Sequence, residues 1–327
     1  MIRRVLVTGG AGFIGSHVAE ALLRRGCQVT ILDNLDDFYA ESRKRANLRE
    51  VAQIGGYEFA EADICDAGAV DAAVERARPE AVIHLAARAG VRPSIEQPGL
   101  YERVNVAGTL NLLEAARKFQ VENFVFGSSS SVYGESGKVP FSESEVQMRP
   151  ISPYAATKLA GELLCYAYAH LHGLSCVCLR FFTVFGPRQR PDLAIYKFTA
   201  LIEAGKPLPI FGDGSSGRDY TYVGDIVSGI LGALEYRPAG SPAFDVVNVG
   251  GSHPVKLSEL IGELEVATGK PAVQNWQPMQ PGDVSITWAD ISKARKLFGY
   301  EPRVSLAEGL EKFVAWYRAV AREAPGT

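Results

Sequence analysis

Thr8-Gly-Gly-Ala-Gly-Phe-Ile-Gly-Ser-His17 is the stretch whose reading decides the fold. A short apolar run, Val5-Leu6-Val7, stands before it, and a helical pattern runs from Phe13 to about Arg25. Gly9, Gly12 and Gly15 fall at G-x-x-G-x-x-G spacing across this strand-to-helix turn. The missing Cβ atoms permit a tight turn, close approach of a pyrophosphate to backbone N–H groups, and close helix–strand packing. The next apolar run, Val29 to Leu32, ends in Asp33, eighteen residues past Gly15. A carboxylate there accepts bonds from an adenosine ribose and repels a 2′-phosphate, which predicts NAD rather than NADP. A glycine-rich turn without a ligand is the competing reading.

Outward from this turn, short apolar runs alternate with helical patterns: Tyr57 to Ala60, Ala81 to Leu85, Phe124 to Phe126 and Ser175 to Phe181. That rhythm predicts βαβ units and a Rossmann-type, doubly wound parallel sheet. Asp63 and Leu85-Ala86-Ala87 fall just past strands three and four, where such a sheet binds its ligand, although ordinary strand-end packing is the plainer reading. From about residue 181 the chain turns rich in Gly and Pro, as in Phe185-Gly-Pro-Arg-Gln-Arg-Pro191 and Phe211-Gly-Asp-Gly-Ser-Ser-Gly217. Residues 1–180 are read as the dinucleotide domain and 181–327 as a smaller α/β substrate lobe. The stretch 222–250, helix then strand, is expected to return to the first sheet. The polar end from Ala321 to Thr327 is read as a disordered tail.

Composition narrows the function classes. The chain has 327 residues, 47% of them hydrophobic, enough for two lobes. Its 34 basic and 37 acidic residues are spread without like-charge blocks, which argues against nucleic acid as a partner. No stretch approaches the ~18 consecutive apolar residues of a membrane span, and Val5 to Val7 is too short for a secretory core. Five cysteines (27, 65, 165, 176 and 178) form no CxxC pair or metal-ligand spacing, so reduced thiols in a cytoplasmic protein without a metal are expected.

Tyr154-Ala-Ala-Thr-Lys158 opens a helical pattern reaching about His170, and its i,i+4 spacing sets phenol and ammonium on one face. A lysine cation lowers a phenol pKa from about 10, which makes Tyr154 a candidate general base. A YxxxK alone is mostly solvated helix surface. Ser128-Ser129-Ser130-Ser131-Val-Tyr-Gly134, just past the fifth strand, changes that by supplying hydroxyls to the same reacting oxygen.

With these pieces together the chain resembles the extended short-chain dehydrogenase/reductase family along nearly its whole length. The matching segments are TGGAGFIGSH at 8–17, DN at 33–34, HLAA at 84–87, the serine run with VYG at 128–134, YxxxK at 154–158, RFFTVFGP at 180–187 and FGDGSSGRDYTYVGD at 211–225. The resemblance implies Ser129, Tyr154 and Lys158 as the catalytic set. It implies NAD contacts at Gly9, Gly12, Phe13, Ile14, Gly15, Asp33, Asn34, Asp63, Ile64, Leu85, Ala86, Ala87, Asn105, Ser128, Tyr154 and Lys158. Arg218 would take the phosphates of a nucleotide sugar and Asp283 its nucleotide ribose. A homodimer is implied through helices around 101–119 and 154–170, with Leu110, Leu113, Leu163, Leu164 and Tyr168 as its apolar stripe, although that stripe could instead pack on the sheet.

Departures within the family select the reaction. Related 4,6-dehydratases carry an Asp-Glu pair where this chain has Ser130 and Ser131, and related decarboxylases tend to carry Glu at the Ser131 position. Neither elimination nor decarboxylation is therefore expected, whereas 4-epimerisation needs only one acid/base and a hydride acceptor that returns the hydride. Thr183 replaces the usual Asn, and RFFTVFGPRQRPDLA, RAGVRPS at 88–94 and MQPGDV at 279–284 resemble the hexuronate 4-epimerase branch. Arg88, Arg92, Ser129, Ser130, Thr183, Arg190, Arg218 and Asp283 are the expected substrate residues. A guanidinium at Arg190 suits a C5 carboxylate, since it offers a planar fork, while a surface or phosphate-binding arginine is the alternative. UDP-glucuronate is the expected substrate, with UDP-glucose/galactose epimerisation or UDP-glucuronate decarboxylation as alternatives.

Overall fold

The structure, a computed structural model, describes residues 2–135, 138–145, 148–278 and 285–323. In chain order its strands are β1 (Arg4–Thr8), β2 (Gln28–Asp33), β3 (Glu58–Glu61), β4 (Ala81–His84), β5 (Asn123–Ser129), β6 (Ser175–Phe181), β7 (Thr183–Phe185), β8 (Leu208–Phe211), β9 (Gly217–Tyr222), β10 (Phe244–Val249), β11 (Pro254–Lys256) and β12 (Gln274–Gln277). The helices are α1 (Phe13–Arg24), α2 (Glu41–Ile54), α3 (Ala67–Ala77), α4 (Val91–Glu96), α5 (Pro98–Glu102), α6 (Gly108–Lys118), α7 (Pro153–His172), α8 (Ala194–Glu203), α9 (Val223–Glu235), α10 (Leu257–Thr268), α11 (Ser292–Phe298) and α12 (Leu306–Glu323).

Strand alternation explains the layering. Val5, Val7, Ile31, Ile83, Val125 and Val177 face one side of the sheet, where α1 and α9 cover them. Leu6, Leu32, Val82, Phe124, Phe126 and Cys178 face the other, under α3, α6 and α7. With both faces covered, the central strands carry apolar residues on both sides rather than alternating, and β6 is buried at every residue, Arg180 included. The strands run parallel in the order β10-β6-β5-β4-β1-β2-β3. Strand β10 pairs with β6, Val249 beside Phe181, as the helix-then-strand pattern of 222–250 predicted.

The remaining elements form a three-stranded sheet, β11-β9-β7, a pair β12-β8, and a separate core around Phe185, Leu260, Leu264, Leu310 and Phe313. Strand β7 starts two residues after β6 ends, so the loop at 186–193 is carried back over the carboxyl ends of the first sheet.

Three local differences from the sequence reading have physical causes. Strand β5 continues past Phe126 to Ser129, because β6 pairs with it along its whole length. Helix α7 begins at Pro153, since Ser152 caps it by accepting from the Ala155 N–H at 3.2 Å. The helix expected over 101–119 is interrupted by a π-helical turn, Arg103–Ala107, which turns Asn105 inward. At the carboxyl end, α12 extends to Glu323, so part of the expected tail is helical, and 324–327 lie outside the described residues. All five cysteines are free. Among the described residues no helix is long and apolar enough to cross a membrane and no His/Cys/Asp/Glu group could hold a metal.

Candidate active site

A single cavity opens across the carboxyl ends of β1, β2, β4 and β5. Of the residues expected against NAD, Gly9, Gly12, Phe13, Ile14, Gly15, Asp33, Asn34, Asp63, Ile64, Leu85, Ala86, Ala87, Ser128, Tyr154 and Lys158 line it. Gly9 has φ +68°, and a Cβ there would stand 2.7 Å from the Ala86 nitrogen. A Cβ on Gly15 would meet the Gly9 carbonyl at 2.1 Å, so α1 can approach β1 this closely only without one. No side chain caps α1 at Gly12, which leaves its first-turn N–H groups open for an anion. Asp33 is 6% exposed and accepts from the Ala11 N–H at 3.1 Å and the Leu35 N–H at 2.9 Å, which fixes the carboxylate beside the loop. Asn34 donates to Asp63 at 3.3 Å. An uncapped helix start, a glycine cradle and a fixed acid fit a dinucleotide.

Behind this wall His84 ties two loops together. Thr109 donates its hydroxyl proton to the Asn105 carbonyl at 2.6 Å, so it accepts from His84 Nε2–H at 2.9 Å. His84 Nδ1 then accepts from the Thr8 hydroxyl at 2.8 Å, and Thr8 Oγ1 accepts the Leu85 and Ala86 N–H groups at 3.2 Å each. Burial, and next Lys158, push the imidazole pKa down to about 3, so it is neutral with its proton on Nε2. Asn105, expected to touch NAD, does not line the cavity. It is 2% exposed, accepts from the Arg88 N–H at 2.8 Å and donates to the Arg88 carbonyl and the Thr157 hydroxyl at 3.0 Å each. Both N–H groups of its amide are taken by protein, and it holds the loop that carries Arg88.

At the other end of the cavity stand Tyr154, Lys158, Ser128 and Arg190. Lys158 donates to the Gly127 carbonyl at 2.7 Å and lies 5.1 Å over the Phe126 ring. Burial pulls its pKa down to about 8 against the upward pull of Glu162. Burial also raises the Tyr154 phenol above its ordinary value, while a hydrogen bond from Ser129 and the Arg190 guanidinium act to lower it. Arg190 is thus a cation acting on the phenol to which the YxxxK spacing did not point. Ser129 also accepts from the Ser131 N–H at 3.2 Å and hydroxyl at 2.9 Å. The Ser128 hydroxyl donates to Glu162 at 2.5 Å, so it meets a ligand only with what that bond leaves.

The expected substrate residues are dispersed. Arg88 lines the cavity and pairs with Asp36 at 2.6 Å. Arg190 pairs with Asp192 and lies 5.5 Å over Phe38. Ser130 begins a 3-10 turn after β5, and Thr183 begins β7, both half-buried. Arg92, on α4, lies 5.8 Å over the Phe211 ring. Arg218, on β9, donates to its neighbour's carbonyl at Gly217 and does not line the cavity. Asp283, with the rest of 279–284, lies outside the described residues. Arg188 turns away from the cavity to bond Glu20 and Glu50, which fastens the loop bearing Arg190 to α1 and α2.

Sequence reasoning missed the wall made by Phe38, Tyr39 and Lys44. The helical pattern beginning at Glu41 carried the only signal, since it sets Lys44 and Asn47 on one face, and Asn47 bonds the Ala11 carbonyl at 2.9 Å.

A family model described as GDP-mannose 4,6 dehydratase matches residues 6–313. The chain is 44% identical over 312 residues to a UDP-glucuronate 4-epimerase of Thermodesulfobacterium geofontis, covering 95% of each. Among solved structures it is similar to a UDP-glucuronic acid 4-epimerase from Bacillus cereus in complex with UDP-glucuronic acid and NAD, with TM-score 0.89, 38% identity and coverage of 97% and 99% of the two chains. It is also similar to a UDP-glucose 4-epimerase with UDP-glucose from Thermotoga maritima, with TM-score 0.88, 37% identity and the same coverage.

Proposed function

The chain belongs to the extended short-chain dehydrogenase/reductase family, in the branch named for GDP-mannose 4,6 dehydratase, and from that premise we propose that it is an NAD-dependent UDP-glucuronate 4-epimerase. The observation that carries the reading is one cavity with the glycine cradle and Asp33 at one end and Tyr154, Lys158 and Arg190 at the other. No carboxylate replaces Ser130 or Ser131 beside that phenol.

NAD, when bound, would supply the hydride acceptor and donor at C4 that inversion requires. Tyr154 removes the C4 hydroxyl proton, with the Ser129 hydroxyl sharing the charge, and gives it back after the ring has turned. Lys158 holds the nicotinamide ribose. A 4-keto hexuronate is a β-keto acid that loses CO₂ when its carboxylate bond stands perpendicular to the carbonyl plane. Ser130, Thr183 and Arg190 hold the carboxylate out of that geometry, and Arg88 and Arg218 are assigned to the diphosphate and Asp283 to the nucleotide ribose. Residues 1–180 with 222–250 act as the dinucleotide domain and 181–327 as the substrate lobe.

The second reading, UDP-glucose/galactose epimerisation, is favoured by one observation: Asp192 already fills the Arg190 fork. Incubating the protein with UDP-glucuronate, UDP-glucose and UDP-GlcNAc separates the two, and UDP-galacturonate is the expected main product. Released CO₂ would point to decarboxylation, and turnover of UDP-glucose alone would return the hexose reading to first place. Acid extraction of protein purified without added cofactor is expected to yield NAD, since a returned hydride requires no exchange.

A homodimer and a cytoplasmic location complete the proposal. Leu110, Leu163 and Tyr166 are 38%, 62% and 47% exposed on α6 and α7 and suit a helical seam. Leu113 and Tyr168, part of the expected stripe, pack inward with Leu164 at the core's edge. Light scattering that gives a 35.3 kDa monomer at micromolar concentration would exclude the dimer.

A further inference from the structure

The loop between β2 and α2, residues 34–40, lines the cavity through Asn34, Asp36, Phe38 and Tyr39. Two guanidinium carbons lie over the Phe38 ring, Arg88 at 5.6 Å and Arg190 at 5.5 Å from its centroid. Tyr39 turns toward the glycine cradle instead. Its ring takes the Lys44 ammonium at 5.0 Å, and its hydroxyl would stand 3.9 Å from a Cβ placed on Gly12. That hydroxyl is fully enclosed, and among the described residues it has no hydrogen-bond partner.

Enclosed hydroxyls nearly always have a partner, so an orphan that borders a ligand cavity points to a ligand atom. Asp33 is not that partner in the structure: its oxygens accept from the Ala11 and Leu35 N–H groups, and neither is bonded to Tyr39. Beside the hydroxyl lies the uncapped first turn of α1, whose N–H groups gather an anion. A neutral phenol beside those groups adds one more donor, and several donors converging on one point suit a phosphate oxygen.

We propose that the Tyr39 hydroxyl donates a hydrogen bond to the diphosphate of bound dinucleotide. The proposal rests on the NAD reading above. It gives the 34–40 loop two roles, since Tyr39 reaches the cofactor while two arginines assigned to the sugar nucleotide rest on the Phe38 ring.

Tyr39→Phe tests it, because the ring and its lysine contact remain and only the oxygen is lost. Equilibrium dialysis of the protein, stripped of its nucleotide, against NAD should show the dissociation constant raised about tenfold or more, as for a lost hydrogen bond to a charged group. The thermal midpoint of the cofactor-free protein should stay level or rise, since an unsatisfied buried oxygen has been removed. The KM for UDP-glucuronate at saturating NAD should not change. An NAD constant within twofold of wild type overturns the proposal, whether or not the midpoint falls. A raised KM with unchanged NAD binding overturns it too, and assigns the hydroxyl to the sugar nucleotide. Wild-type protein that binds no NAD would sink the cofactor reading itself, an outcome distinct from both.

Discussion

Arg190 gives two prongs of its guanidinium to Asp192, two residues along the same loop, with Nε on Oδ1 and Nη2 on Oδ2 at 2.9 Å each. The pair is largely enclosed, with 20% and 35% of the two side chains exposed. A hexuronate carboxylate entering the cavity must therefore share the guanidinium with Asp192 rather than meet an empty fork. The same cation faces Tyr154 and lowers its phenol pKa, so Arg190 has two separable effects.

Arg190→Ala is expected to show both. Removing a group that lowers the phenol pKa raises it, so the acid limb of the kcat profile should move to higher pH with either sugar. A further loss of about ten- to a hundredfold in kcat/KM should fall on UDP-glucuronate alone, which is the worth of a hydrogen bond to a charged group. Equal losses on UDP-glucuronate and UDP-glucose would end the carboxylate role, and an unmoved acid limb would end the phenol role.

Tyr154→Phe keeps the ring, which packs edge-on to Tyr101 with centroids 6.3 Å apart, and removes the base. Turnover should fall by about 10²–10⁴, the usual contribution of a positioned acid–base group. Single-turnover measurement with a sugar nucleotide checks it, and near-wild-type turnover would remove Tyr154 from the mechanism.

Much of this site was legible because its parts are local in sequence. The glycine turn, Asp33 and the YxxxK face need only a strand end or one helical turn to come into register, and the parallel sheet then gathers them. What escaped depends on contacts between distant segments. Nothing in the local pattern says that Arg188 reaches across to Glu20 and Glu50 or that Tyr39 lies beside Gly12. Asn105 misled for a related reason: a π turn cannot be read from periodicity, and it turns that amide inward onto Arg88.

His84 links stability to pH. Its pKa in the fold is about 3, below the ordinary 6.5, so the unfolded chain binds a proton that the folded chain refuses. Its stability contribution is complete above about pH 6.5 and is lost as pH falls toward 3, amounting to about 2 kcal/mol by pH 5. Urea unfolding at pH 7 and pH 5 should show the difference, and His84→Gln should shrink it by about that amount whatever its own baseline stability. An identical pH slope in the variant would mean that the imidazole is already charged in the fold.

Glu162 decides the opposite end of the pH range. It grips Arg180 through both oxygens, at 2.9 and 2.7 Å, with the two side chains only 4% and 5% exposed. It also lies one helical turn beyond Lys158 and raises that ammonium's pKa, which burial has brought down to about 8. Two consequences of Glu162→Gln are therefore separable. Arg180 is left buried without its counter-charge, which costs about 3–5 kcal/mol and should lower the thermal midpoint. Lys158 loses the group that holds its proton, so its pKa drops further and the alkaline limb of the kcat profile should move to lower pH. Glu162→Asp keeps the charge but shortens the reach, so it should restore the alkaline limb toward wild type while recovering stability only in part. A Gln variant that melts earlier yet keeps the wild-type alkaline limb would reduce Glu162 to a purely structural partner of Arg180.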